Sequence, residues 1–263
     1  MTQARKPAGS PGAAGGQYDH VPGARTGDLP GFDRALSPDP AVRDDMALTD
    51  GLPRPVALRL SVDPDPGVRA DLAATSQDPM VLANMASDPA VPVREAVASN
   101  LAAPRGTRGL LARDPDPRVR AAWAGTTDDR DRLDRLVGCE QVTFVRCDAA
   151  ANPLAGRGTL DRLAGDPNPR VRLEAAANPS TRPDTLAVLT GDTDRRVRGS
   201  AASNPSLTDP DAFQALSCDG SPSVRAALLR RPVPDDIVSR LARDKDETVR
   251  TLAAQVKRMG RPV

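Results

Sequence analysis

The chain has 263 residues, and its 36 basic residues nearly balance its 35 acidic ones, so that the formal net charge is +1. This balance excludes a general electrostatic attraction to nucleic acid or to an anionic membrane. Aromatic residues make up only 2% of the chain, which argues against one large globular core. No apolar segment has the length of a signal peptide or of a membrane span, so we expect a cytoplasmic protein.

The first residues of the chain differ in composition from the rest. Residues 1–33 are rich in Gly, Pro and Ala and have no apolar period. Such a segment buries too little apolar surface to offset the entropy of ordering it, so we expect a disordered tail. Residues 34–258 hold a repeat, and residues 259–263 form the C-terminal end.

A Val-Arg pair recurs about every 26 residues through residues 34–258. An Ala follows the Val by five positions in every copy except one, where Leu229 takes its place. The Val positions are Val42, Val68, Val93, Val119, Val145, Val171, Val197, Val224 and Val249. A period of this length is typical of stacked repeat arrays.

Each repeat divides into two short helical segments. Asp and Pro open the first segment, and the Val and the residue four positions later lie on one helix face. Asn-Pro ends this segment, as at Asn152-Pro153, and we expect the Asn to adopt the left-handed terminal conformation. The second segment has Leu at i and i+3, as at Leu160 and Leu163, and is short enough for a 3₁₀ contribution.

The units "LARDPDPRVRAAWAG" and "LAGDPNPRVRLEAAANP" resemble the leucine-rich repeat variant family, which is HEAT-like in style. The Leu-x-Leu strand signature of true leucine-rich repeats is not repeated here. The resemblance implies an all-α fold without a sheet. It would be a right-handed α-solenoid of about nine 26-residue repeats, in which short α-helices alternate with α or 3₁₀ helices.

An Asp lies six residues before the Arg in most repeats. We interpret these residues as a structural ladder, in which the Asp caps its own helix and accepts a guanidinium from the same or the next repeat. Its central members are Asp114, Arg120, Asp166, Arg172, Asp192 and Arg198. Trp123 has the phase of Met46 and Leu72, which predicts that it packs in the core.

The repeat "LVGCEQVTFVRCDAAANP", residues 136–153, departs from the pattern. One residue is inserted before Val145, the Asp-Pro signal is lost, and Phe144 stands just before the Val. Two interpretations stay open: a neutral irregularity with Phe144 folded onto its neighbours, or a binding hot spot. The candidate partner-binding residues are Phe144, Cys139, Glu140, Cys147, Asp148 and Glu174.

Residues that could support catalysis or metal binding are sparse. Cys139 and Cys218 lie three repeats apart, and Cys139 with Cys147 makes an incomplete metal site. His20, the only histidine, lies in the tail, and no phosphate-binding loop is present. We therefore predict no catalytic, metal or cofactor site and no enzyme activity.

The pattern favours a non-enzymatic scaffold that binds a protein or peptide through a curved solenoid surface. The alternative is a HEAT-like nucleic-acid-binding protein, similar to a DNA glycosylase, that uses an arginine-rich second-helix face. Those arginines are Arg105, Arg108, Arg113, Arg130, Arg132, Arg135, Arg157 and Arg162. Intervening aspartates and the near-neutral net charge favour a protein partner over nucleic acid or a membrane. The identity of the partner and the oligomeric state stay open.

Overall fold

The computed structural model describes residues 31–258, which form eighteen helices and no strand. The predicted all-α class is confirmed. The expected tail falls almost entirely on residues 1–30, which lie outside the described range, as do residues 259–263; α1 begins at Phe32. The helices belong to two compact units divided after Pro104, with α1 to α6 in the first and α7 to α18 in the second.

The helices alternate between two kinds, which we call A and B. The A helices carry the Val-Arg pair: α2 (Pro40–Ala47), α4 (Pro66–Thr75), α6 (Val91–Ser99), α8 (Pro117–Thr126), α10 (Thr143–Ala151), α12 (Pro169–Ala177), α14 (Arg195–Ser203), α16 (Pro222–Leu228) and α18 (Glu247–Arg258). After α1 (Phe32–Ala35), the B helices are α3 (Arg54–Leu60), α5 (Pro79–Met85), α7 (Arg105–Leu111), α9 (Arg130–Cys139), α11 (Arg157–Ala164), α13 (Pro183–Leu189), α15 (Pro210–Ser217) and α17 (Asp235–Leu241). Within each unit, consecutive A helices pack side by side, which is the arrangement of a stacked repeat array.

Most A helices begin at a short polar residue followed by Pro, but the capping residue differs from the one expected. The cap is the second polar residue of the motif: Asp116 accepts from the backbone N–H of Arg118, and Asn168 accepts from that of Arg170. Pro follows at the first helical position, where its missing N–H removes no helical hydrogen bond. The expectation that the first Asp, such as Asp166, caps its own helix was wrong.

The core consists of small and branched apolar side chains repeated at fixed phases. The Val of every repeat from Val68 to Val249 is buried. Leu160 and Leu163 on α11 are buried against the same layer. Trp123 is only 1% exposed, which confirms its predicted place in the core.

The B helices are α-helical, and no 3₁₀ helix occurs in residues 31–258. A 3₁₀-type hydrogen bond instead closes the turn after most B helices. The N–H of Asp63 donates to the carbonyl of Leu60 at 3.0 Å, and that of Asp166 donates to Leu163 at 3.1 Å. The predicted 3₁₀ contribution is therefore confined to this closing turn, which places the Asp of the ladder.

The asparagines at the ends of A helices do not adopt the left-handed conformation. Asn152 and Asn178 have φ of −61° and −67°, and among residues 31–258 only glycines have positive φ. The side chain explains the residue type: Asn178 Nδ2 donates to the carbonyls of Ala150 (2.7 Å) and Asn152 (2.8 Å), and its Oδ1 accepts from the N–H of Ser180 (2.9 Å). Asn100, Asn152 and Asn204 bond in the same way. We call these four residues the asparagine ladder, because each binds the carbonyls that end the preceding A helix.

Candidate binding surface at the irregular repeat

The repeated Arg links each repeat to the next one. Arg172 donates from Nε and Nη2 to both carboxylate oxygens of Asp192, at 2.6 and 2.9 Å, and from Nη1 to the carbonyl of Asp166 at 2.8 Å. From the sequence we expected the carboxylate to accept an Arg of the same or the next repeat, and this was wrong: Asp192 accepts the Arg of the preceding repeat. The other pairs with this arrangement are Arg43–Asp63, Arg69–Asp88, Arg120–Glu140, Arg146–Asp166, Arg198–Asp219 and Arg225–Asp244. These pairs form the charged ladder.

Acid is expected to destabilise this ladder. The hydrogen bond from Arg172 lowers the pKa of Asp192, and that from Arg225 lowers the pKa of Asp244, in both cases against desolvation. An ordinary Asp has a pKa of about 3.9, so these carboxylates bind protons more weakly in the folded chain than in the unfolded one. Their contribution to stability is complete above that unfolded pKa and is lost as the pH falls through the lower folded pKa values.

The urea unfolding midpoint should therefore fall between about pH 5 and about pH 2. Asp192→Asn removes one of the titrating carboxylates and should lessen the fall. A midpoint that stays constant over this range would contradict a stabilising role for the ladder carboxylates.

The insertion in the irregular repeat lengthens one B helix. α9 has ten residues, whereas the other B helices have seven or eight. The N–H of Glu140 donates to the carbonyl of Leu136, four residues back, instead of closing a 3₁₀-type turn. The extra residue is thus absorbed as one more residue of α-helix.

Glu140 then occupies the ladder position that Asp has elsewhere. It accepts Arg120 at 2.7 and 3.1 Å and the N–H of Val142 at 2.9 Å, and its carbonyl accepts Arg146. Burial alone would raise its pKa, but these hydrogen bonds outweigh burial and lower the pKa. Because its carboxylate is buried and fully paired, Glu140 is better explained as a ladder residue than as the partner contact suggested by the sequence.

Phe144 lies on the first turn of α10 and is 44% exposed. Phe144 is therefore partly covered by its neighbours, and a large part of its surface faces solvent. Other repeats have a small or polar residue at this position, such as Gly67 and Arg170.

A cavity of about 440 Å³ lies beside α9. Its lining includes Arg113, Arg132, Arg135, Leu136, Cys139 and Val142, together with the paired Arg120 and Glu140. Arg113 and Arg135 are exposed and form no ion pair with any residue that the structure describes. The Cys139 thiol is exposed and lies 3.4 Å from the carbonyls of Arg135 and Leu136. We call Arg113, Arg132, Arg135, Cys139 and Phe144 the α9–α10 surface.

A glycine on α7 makes room for one of these arginines. A Cβ on Gly109 would come within 1.3 Å of Nη1 of Arg132, so the guanidinium lies directly over the glycine. Arg132 also makes a loose ion pair with Asp129, at 3.6 Å. Its position beside the cavity thus depends on the absence of a side chain at Gly109.

The remaining candidate residues, Cys147, Asp148 and Glu174, lie near one another on α10 and α12. Partial burial raises the pKa of Asp148, and the charge of Glu174 adds to the effect. Burial also raises the pKa of the Cys147 thiol, which lies near the same two carboxylates. Of the six predicted partner-binding residues, Cys139 and Glu140 line the cavity, whereas Phe144, Cys147, Asp148 and Glu174 lie outside its lining. In the sequence, Arg113, Arg132 and Arg135 belong to the charges of the second helical segments, and nothing there connects them with the irregular repeat.

Several other arginines in or beside the B helices pair with aspartates of a neighbouring repeat. The pairs are Arg105–Asp128, Arg162–Asp134 and Arg182–Asp161. Arg108 is buried and donates to the carbonyl of Thr126, at the C-terminal end of α8. These positive charges are compensated within the protein, whereas a nucleic-acid interface needs a basic track free to contact phosphates.

Within residues 31–258, no group of three or more His, Cys, Asp or Glu side chains is placed to hold a metal ion. None of the helices in that range is both long and apolar enough to cross a membrane.

No protein-family model matches the sequence, and neither does any curated protein. Among solved structures, the chain is similar to a leucine-rich repeat variant with a repetitive structural motif, at 24% identity and a TM-score of 0.57, over 76% of this chain and 80% of that one. It is also similar to the Escherichia coli protein YibA (17% identity, 84% and 97% coverage, TM-score 0.48) and to an engineered protein (15%, 76% and 95%, 0.32). The fold assignment rests on the first of these similarities together with the repeated A and B helices: the described chain has the helical repeat fold of a leucine-rich repeat variant protein.

Proposed function

We propose that this chain is a non-enzymatic scaffold that binds a protein or peptide partner at the α9–α10 surface. The observation that carries the proposal is the contrast between this surface and the rest of the repeats. Elsewhere the recurring polar residues bond to neighbouring repeats in the charged and asparagine ladders. At the α9–α10 surface, by contrast, the exposed Arg113 and Arg135 line a cavity. Phe144 lies outside the lining, two residues after the lining residue Val142, and is also exposed.

The residue types at this surface suit a protein interface. Aromatic residues and Arg are enriched at the centres of protein interfaces and among the residues that contribute most to affinity. The alternative, nucleic-acid binding along the B helices, has less support because Arg105 and Arg162 are paired with aspartates and Arg108 is buried. Unpaired Cys139, Cys147 and Cys218 support a reducing cytoplasm as the place of action.

Phe144→Ala is expected to abolish most partner retention without unfolding the protein, because the ring is exposed and its loss leaves no core cavity. Removal of an aromatic hot spot typically costs about 2 kcal/mol, or roughly thirtyfold in affinity. The measurement is capture from nuclease-treated native lysate on immobilised full-length chain. Val188→Ala is the matched control, because Val188 is 77% exposed on α13, a helix of the same unit.

Support for the proposal requires a protein that survives nuclease, is lost with Phe144→Ala and is kept with Val188→Ala. Equal retention by both variants would contradict the α9–α10 surface as the site. Nuclease-sensitive material that elutes with modest salt would instead favour the nucleic-acid alternative.

A further inference from the structure

The cavity beside α9 has an excess of positive charge. Arg113, Arg120, Arg132 and Arg135 line it, opposed in the lining only by Glu140. Because Glu140 is paired with Arg120, three guanidinium groups remain to face a ligand. Among these three, only Arg132 has a carboxylate partner within the described chain, and that pair is long at 3.6 Å.

The other part of the lining is apolar. Ala112, Leu136 and Val142 contribute carbon atoms to the cavity. A volume of about 440 Å³ falls within the range of small-ligand sites. It fits one or two side chains and the backbone that joins them, and it exceeds what a bare inorganic ion would fill.

We infer that this cavity binds an acidic peptide segment, with a Glu or Asp carboxylate among Arg113, Arg132 and Arg135 and a neighbouring aliphatic side chain against Leu136 and Val142. The guanidinium fork matches both oxygens of a carboxylate, and such charge-assisted hydrogen bonds are stronger than neutral ones. The inference rests on the proposed function, since it gives the chemical class of the peptide recognised at the same surface.

The test uses the full chain and a fluorescein-labelled peptide, Glu-Leu-Glu-Glu-Leu-Glu, with binding followed by fluorescence anisotropy. The control peptide has Gln in place of each Glu. Arg113→Gln/Arg135→Gln removes two cavity charges. Its matched control is Arg157→Gln/Arg195→Gln, because those two arginines are also exposed, lie in the same unit and form no ion pair with any described residue.

We expect the acidic peptide to bind, the cavity variant to weaken its affinity by about tenfold or more, and the control variant to change it by less than about twofold. Affinity should also fall as salt is raised. Equal binding of the Gln peptide, equal losses in the two variants, or no binding of the acidic peptide would each overturn the inference.

Inorganic phosphate is the competitor that distinguishes a peptide from a free anion. If phosphate displaces the peptide at concentrations near the peptide's own Kd, the cavity is a site for free oxyanions and the peptide assignment is wrong. The two proposals can fail separately. If the chain retains a protein from lysate, the Phe144→Ala variant does not, and the acidic peptide fails to bind, then the proposed function stands and only this inference is wrong.

Discussion

Trp123→Ala is expected to lower the free energy of unfolding by about 3–5 kcal/mol, the usual cost of truncating a buried aromatic side chain. Trp123 is the only Trp of the chain and is 1% exposed on α8. Ala149 and Ala175 hold the same phase in the next two A helices. These small neighbours cannot fill the space that the indole vacates, so a cavity remains.

The measurement for this prediction is urea unfolding followed by circular dichroism, because the variant lacks the fluorescent indole. Trp123→Leu is the control, since Leu72 and Leu228 occupy this phase in other repeats, and it should cost clearly less. A loss below about 1 kcal/mol for Trp123→Ala, a value typical of surface changes, would contradict the core assignment.

Asn178→Ala is expected to lower the free energy of unfolding by about 3 kcal/mol. The side chain is buried and makes three hydrogen bonds. Two of them join the end of α12 to the end of α10, and the third accepts the N–H of Ser180. Truncation leaves the carbonyls of Ala150 and Asn152 and the N–H of Ser180 without these partners. Buried polar groups without partners cost more than the bond itself contributes.

Asn168→Ala is the matched control in the same repeat. Asn168 is half-buried, caps α12 and accepts one hydrogen bond, from the N–H of Arg170. Loss of such a cap typically costs about 1 kcal/mol. Equal losses in the two variants, measured by urea unfolding, would show that the asparagine ladder adds nothing beyond an ordinary helix end.

The helices and the core could be predicted from the sequence because both depend on local periodicity. The Val-Arg phase and the Leu spacing place one apolar face on each helix, and stacking is the way to bury such faces in short repeats. The role of Asn178 was assigned wrongly because the same residue type suits two environments, a left-handed helix end and a carbonyl-binding ladder. Only the conformation and packing of the surrounding backbone distinguish these two environments.

The candidate surface was only partly predictable. The insertion after Leu136 and the unusual Phe144 are visible as breaks in the repeat pattern. The role of Glu140 in the charged ladder was not visible in the sequence, because its partner Arg120 lies 20 residues earlier in the chain. The cavity brings Arg113 together with Arg135 from the next B helix, and side-chain clusters of this kind depend on packing between repeats.

The two sets of arginines illustrate how one residue type serves both stability and binding. Arg172 has a buried carboxylate partner and a carbonyl partner, so its charge is used in holding repeats together. Arg135 lies on the exposed face of α9, and its side chain forms no ion pair with the described residues. We therefore assign the repeated, paired arginines to stability and propose that the unpaired arginines beside the irregular repeat bind the partner.

The most direct test of these two roles uses two variants, Arg113→Gln/Arg135→Gln in the cavity and Asn178→Ala in the asparagine ladder. For each variant, the affinity for the acidic peptide and the urea unfolding midpoint are measured. The account predicts that the cavity variant loses affinity and keeps its unfolding midpoint, whereas Asn178→Ala loses stability and, under conditions where it is folded, keeps affinity. The contradicting result is a cavity variant that unfolds at a lower urea concentration than the unmodified protein but binds the peptide with unchanged affinity. Arg113 and Arg135 would then be structural, and the binding surface would lie elsewhere.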